Sequence, residues 1–235
     1  MRVLRGRGAT VRADREHTAR LLADAADGSP GVRVWAPPRQ VAFGRRDARE
    51  SGYDRARRVA EAAGFAPVER DVGGRAVAYT GRTLAFALSV PLDGDRGRID
   101  ERYADVTRAV RSALGRVGAA VSPGEPSRSF CPGDHSLRVA GGGKVAGTAQ
   151  RVRADAALVA GCLVVSRSDA AALATVLEPV YDALDVPFDP ESIGSVAEAG
   201  GPVEAERIAR AVEEALIDLA DADSPRVDRV GAEPW

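Results

Sequence analysis

The sequence predicts an α+β fold, a mixed and largely antiparallel sheet flanked by helices. Three observations carry this expectation. Short alternating stretches arrive as hairpin-like neighbours, at 32–35 and 40–43 and again at 137–140, 144–150 and 156–165. Amphipathic helical stretches fall between groups of strands. The regular strand and helix alternation of a doubly wound nucleotide fold is missing.

Taken in order, Ala19, Leu21, Leu22 and Ala25 recur at helical spacing within Asp14 to Ala25, and Gly28-Ser29-Pro30-Gly31 ends that helix. Val32-Arg33-Val34-Trp35 alternates as a strand, Pro37-Pro38 breaks it, and Gln40 to Phe43 forms a second strand stopping at Gly44. Tyr53 to Ala63 reads as a helix closed by Gly64, and Pro67 to Val72 as a short strand leading into Gly73-Gly74. From Thr83 to Val90, Leu84, Phe86, Leu88 and Val90 share one face and small residues the other. Pro91 opens a polar loop to Arg98, and Asp100 caps a helix whose stripe is Tyr103, Val106, Val110, Leu114 and Val117. After the loop at 122–127, Gly141-Gly142-Gly143 is a hairpin turn joining strands 137–140 and 144–150. Two amphipathic helices, Asp169 to Leu184 and Val203 to Leu219, close the fold. Residues 1–220 read as one globular domain and 221–235 as a polar, mobile tail.

Composition excludes several classes. A chain of 235 residues with 45% hydrophobic content can bury a sizeable core, and a net charge of -1 offers no broad basic surface for nucleic acid. The first ten residues lack an apolar stretch and no later run approaches a bilayer span, so a cytoplasmic protein without membrane contact is expected. Cys131 and Cys162 stand in no metal-ligand spacing, so neither a metal site nor a disulfide framework is expected.

Lys144 is the only lysine among 33 Lys plus Arg residues, and asparagine is absent. Such depletion follows from GC-rich coding, under which lysine drifts to arginine wherever the two serve equally. A compact ammonium and a planar guanidinium do not serve equally everywhere. Lys144 therefore marks a position that requires the smaller cation, or else is a chance survivor on a turn. It lies in Gly141-Gly142-Gly143-Lys144-Val145-Ala146-Gly147-Thr148-Ala149-Gln150, which lacks P-loop spacing. An ammonium opening a strand beside small residues can polarise an acyl carbonyl or neutralise a phosphate. Gly73-Gly74 reads either as a hairpin turn or as a place where backbone approaches a ligand.

Read together, these segments resemble the lipoate-protein ligase A and octanoyltransferase family, within the biotin and lipoate ligase superfamily. Arg70 with Gly73-Gly74-Arg75-Ala76-Val77 is similar to the family's Arg-Arg-x-x-Gly-Gly-x-x-Val-x-His motif. Lys144-Val145-Ala146-Gly147-Thr148-Ala149-Gln150 is similar to its Lys-Ile-Ser/Ala-Gly-Ser-Ala-Gln segment. Trp35-Ala36-Pro37-Pro38 through Gly44-Arg45 resembles its opening strands, and the resemblance runs from about Val32 to Val165. It implies a fold like that of class II tRNA synthetases and biotin ligases. It also implies Lys144 as the acyl-contacting lysine, with Arg70, Gly73, Gly74, Arg75, Gly147 and Ala149 at the acyl site. The departures are Glu69 for the first arginine, Tyr79 for a histidine, and Ala160 where many members have another histidine.

Cys131, in the loop Ser129-Phe130-Cys131-Pro132-Gly133-Asp134-His135, resembles in position the nucleophile of the cysteine-dependent transferases, with His135 placed to lower its pKa. The plainer reading is a small loop residue. Cys162, inside an apolar run, reads as core.

The resemblance implies lipoyl or octanoyl transfer onto a lysine of lipoyl domains of 2-oxoacid dehydrogenases or of the glycine cleavage H protein. An acyl carrier protein is a further partner class. A transferase working through a Cys131 thioester needs no cofactor, whereas a ligase needs ATP and Mg²⁺ to activate lipoate or octanoate as an adenylate. Gly-Gly-Arg-Ala-Val and Cys131 lean slightly towards the transferase. A non-catalytic acyl-binding homologue and a biotin ligase are the remaining alternatives.

Overall fold

The computed structural model describes residues 1–70, 73–92, 98–221 and 224–231. Within them the chain runs β1 (Arg2–Arg5), α1 (Val11–Ala26), β2 (Gly31–Trp35), β3 (Gln40–Phe43), α2 (Tyr53–Ala62), β4 (Ala66–Glu69), β5 (Val77–Tyr79) and β6 (Leu84–Pro91). It continues through α3 (Ile99–Arg116), β7 (Val121–Pro123), β8 (Ser136–Val139), β9 (Lys144–Val152), β10 (Ala156–Leu163), α4 (Arg167–Ala183), α5 (Ala205–Leu219) and β11 (Arg226–Arg229). The expectations for Asp71 and Val72, for 93–97 of the polar loop, and for 222–223 and 232–235 of the tail fall outside the described residues.

Eight strands form one sheet in the order β11-β1-β2-β6-β10-β9-β8-β7, antiparallel from β2 onwards and parallel where β1 meets β2 and β11. The α+β expectation holds. Along β6, Leu84, Phe86 and Leu88 face the principal core with Val106, Val110, Leu114, Val212 and Leu216 of α3 and α5. Period-two alternation sends Ala85 and Ala87 to the opposite face, under Leu22 and Ala25 of α1.

That second face is anchored by a buried ion pair. Arg33 Nη2 meets Asp14 Oδ1 at 2.6 Å with both side chains almost wholly buried, and Trp35 Nε1 donates to Asp14 Oδ2 at 2.9 Å. Burial pushes the Arg33 pKa down against the pull of Asp14.

A second, three-stranded sheet has the order β4-β3-β5 and is backed by α2 and α4. Because β4 and β5 flank β3 on opposite sides, Gly73-Gly74 lies in a crossover connection, which removes the hairpin-turn reading. The sequence segment taken as a polar tail contains β11, which pairs with β1 and is tied by Arg2 to Asp228 at 2.8 Å. Both strands are arginine-rich and only four residues long, and β11 is the sheet edge, so neither shows the alternation that marks a half-buried strand. Among the described residues no helix is long and apolar enough to cross a membrane.

Candidate active site

Antiparallel register builds a trough. Gly147 of β9 stands opposite Cys162 of β10, Cys162 opposite Ala85 of β6, and Ala85 opposite Trp35 of β2. One row of side chains therefore crosses four strands, and Ala149 opposite Ala160 continues the surface in the next row. These six residues line a cavity of about 180 Å³ between the sheet, α1 and the small sheet. Three inter-strand steps make the row about 14 Å long, longer than an extended octanoyl chain. The residues between its ends are small, which opens the space, and Trp35, held by Asp14, stands at one end. Cys162 is buried in the core that its apolar run suggests, and it also forms part of the trough floor. Burial pushes its thiol up to about 11.

At the Gly147 end the reactive groups converge. The half-buried Cys131 has φ 42°, and its backbone N–H donates to Tyr181 Oη at 2.7 Å, while that hydroxyl donates to the Ala76 carbonyl at 2.9 Å. Arg70 Nη2 lies 2.8 Å from Cys131 Sγ and 2.7 Å from the Arg75 carbonyl oxygen. Burial disfavours the thiolate, but the charges of Arg70 and Lys144, with the Arg70 hydrogen bond, outweigh it and hold the Cys131 pKa below its ordinary value. The charges that act on the thiol are those of Arg70 and Lys144, while the expected activator, His135, stacks on Tyr103 with ring centroids 4.2 Å apart. The thiol's partner comes from a strand end far away in sequence.

Lys144 is 1% exposed. Its Nζ lies 3.1 and 3.2 Å from the two oxygens of Glu125, 3.0 Å from the Phe130 carbonyl and 2.8 Å from the Cys131 carbonyl. An ammonium has three N–H donors, and four fixed acceptors already surround it. Lys144 therefore holds the loop that carries the thiol. Lys144 also lines the trough, so this internal hold stands beside the expected contact with an acyl carbonyl or phosphate. Gly147 leaves room for it, since a Cβ there would stand 2.8 Å from Lys144 Cε and the lysine side chain would have to shift.

The other sequence-named residues divide. Gly74 and Ala149 belong to the site. Gly73 is exposed with open space around it. Arg75 turns to Glu50 at 2.6 Å and Asp47 at 3.3 Å and offers the site only its carbonyl. Of the departures, Tyr79 and Ala160 line the trough; Glu69 is exposed and accepts from Tyr53 Oη at 2.8 Å. Arg70 Nε and Gln40 Oε1 are buried on trough-lining side chains with no hydrogen-bond partner among the described residues. Glu125, Ser129 and Tyr181 are functional neighbours that no motif marks.

Two expected results follow from this geometry. Gly74 has φ 98°, and a Cβ there would lie 2.5 Å from Cys131 Sγ and closer still to Arg70 Nη2. Gly74→Val should therefore cut thiol alkylation and acyl uptake together, on the order of a hundredfold, with roughly 1–3 kcal/mol lost to backbone strain. Alkylation and binding assays beside a thermal melt check it, and a mild effect on both assays would refute the close approach.

Arg70→Gln should move the midpoint of Cys131 alkylation to higher pH. The reacting form is the thiolate, whose fraction rises with pH through the pKa, so losing the guanidinium lowers the rate at pH 7, on the order of tenfold. An unchanged midpoint in an iodoacetamide titration would refute the pairing.

The site is thus a narrow, largely apolar trough on a mixed sheet that ends at a thiol and a guanidinium. Comparison with solved structures gives the fold. Lipoate-protein ligase A bound with ATP superposes with TM-score 0.74 at 20% identity, covering 98% of this chain and 89% of the other. The bi-partite lipoate protein ligase of Thermoplasma acidophilum, described with its E2 lipoyl domain, gives 0.71 at 19% identity over 98% and 87%. The lipoyl protein ligase A/B catalytic domain matches residues 14–217, and the chain belongs to that family. Among curated relatives, the octanoyl-[GcvH]:protein N-octanoyltransferase of Exiguobacterium sibiricum is 35% identical over 133 residues, 56% of this chain and 47% of the relative. The matched stretch thus spans about half the length of that relative.

Proposed function

We propose that this protein is a cysteine-dependent acyltransferase that moves an octanoyl or lipoyl group from a carrier protein to a lysine of a lipoyl-bearing acceptor. The observation that carries the reading is the Cys131 thiol, 2.8 Å from Arg70 and at the end of the trough. The thiolate attacks the donor carbonyl; the donor amine, if the acyl group arrives as a lysine amide, leaves with a proton taken from solvent. The acceptor lysine, as a neutral amine, then attacks the thioester, a proton is released, and the thiolate is restored beside Arg70. The curated relative, named for octanoyl transfer from GcvH, supports a GcvH-type donor, and an acyl carrier protein is the alternative donor. Lipoyl domains are the corresponding acceptors.

The competing chemistry uses ATP and Mg²⁺ and passes through an acyl-adenylate. Its phosphate needs an available cation at the reactive end, where Lys144 has its donors committed and Arg70 holds the thiol. That arrangement favours the transferase reading. Intact-mass analysis tests the reading: octanoyl-GcvH or octanoyl-acyl carrier protein should leave a hydroxylamine-labile octanoyl adduct on the protein without ATP. Acyl transfer only with free lipoate plus ATP, and no adduct, would replace the transferase with the ligase.

A further inference from the structure

Glu125 belongs to no motif and lies on the loop between β7 and β8, six residues before Cys131. Its side chain is 21% exposed, while the Lys144 side chain it meets is 1% exposed. Both carboxylate oxygens receive the Lys144 ammonium, and Ser129 Oγ also donates to Glu125 Oε1. The same ammonium donates to the carbonyls of Phe130 and Cys131, and its charge lies 5.0 Å over the Phe130 ring. Loop residues 125, 130 and 131 are thus gathered on one buried cation, and Ser129 on its carboxylate partner. The loop needs such a restraint, because Arg128 and Cys131 both take positive φ, which non-glycine residues adopt only when their surroundings impose it.

We infer that Glu125 is a positioning residue for acyl transfer: its carboxylate fixes Lys144 and Ser129, and through them holds residues 129–131 so that the Cys131 thiol faces the trough. The inference rests on the thioester reading and adds a residue to it. A buried ammonium needs a counter-charge, and without one its hold on the two carbonyls loses its fixed geometry. The carboxylate's effect on the thiol's ionisation has the opposite sign to its effect on position. Removing its negative charge leaves Lys144 uncompensated, which favours the Cys131 thiolate. Thiol ionisation and transfer therefore separate when Glu125 is changed.

The test uses the full chain and the variants Glu125→Gln, Glu125→Asp and Ser129→Ala, each checked by thermal melting. For Glu125→Gln, transfer from octanoyl-GcvH should fall at least tenfold while the alkylation midpoint of Cys131 stays or moves to lower pH. Amide exchange at residues 129–131 should quicken. Glu125→Asp should recover part of the rate, and Ser129→Ala should lose a few-fold. Transfer within twofold of wild type, or unchanged exchange at 129–131, overturns the inference. So does a midpoint that rises while exchange at 129–131 is unchanged, since Glu125 would then act on ionisation and not on position. If Glu125→Gln does not fold, the Asp and Ala variants decide by the same readouts. A wild-type protein that forms no thioester defeats the functional reading instead, and exchange at 129–131, which needs no donor, still decides for or against the clamp.

Discussion

Cys131→Ser is expected to abolish the octanoyl adduct and to lower transfer from a carrier protein by about three orders of magnitude or more, because a neutral hydroxyl replaces a thiolate and its hydrogen-bond partner at this position, Arg70, is no base. Arg70, 2.8 Å from the sulfur, stabilises an anion that is already formed but takes up no proton. A serine there gains nothing from it at neutral pH. Cys162→Ser is the matched control. That thiol lies on the trough floor and is pushed up to about 11 by burial, so it stays protonated and its loss should leave the adduct in place. Intact mass and a transfer assay with each donor check both variants. Full transfer by Cys131→Ser with every donor would sink the thioester mechanism.

Much of the fold was legible because its central strands obey simple periodicity. β6 alternates large apolar with small residues, and the strands following Cys131 are separated by a glycine turn. Lys144, Cys131, Arg70 and Gly74 were legible from their motifs, and the structure brings all four together. What was not legible depends on how distant segments meet. Tyr181 sits in a helical stripe where an aromatic reads as core, yet its hydroxyl holds the Cys131 backbone. Glu125 reads as a loop carboxylate until the loop folds over Lys144. His135 is near Cys131 in sequence, but its ring is engaged with Tyr103, and Arg70 takes the place expected for it. Arg75, beside the glycine pair, is drawn outward by Glu50 and Asp47, carboxylates that no local pattern connects to it.

The trough explains why small residues matter on both strands of the reactive end. Gly147 and Ala149 leave room above the sheet where Cys162 and Ala160 stand opposite them, and Gly147 also lets Lys144 lie flat against the strand. A single lysine in a chain otherwise converted to arginine is then a packing requirement as much as a chemical one.

Lys144→Arg is expected to fold, to melt several degrees lower and to lose transfer by roughly a hundredfold. The ammonium occupies a fully buried point between one carboxylate and two carbonyls. A guanidinium is wider and planar, and its fork cannot meet acceptors gathered around a point. Overpacking of this kind costs about 1–3 kcal/mol, which for a chain of this size lowers Tm by about 2–4 °C per kcal/mol. The loop at 129–131 must yield, because the strand side is closed by Gly147, and with it moves the Cys131 sulfur away from Arg70. Thiol alkylation at pH 7 should therefore slow as transfer falls. Were Lys144 instead a direct donor to the acyl carbonyl, transfer would fall while alkylation of the free thiol stayed at its wild-type rate. A thermal melt, an alkylation rate and a transfer rate on the same preparation separate the two roles, and near wild-type transfer would refute both.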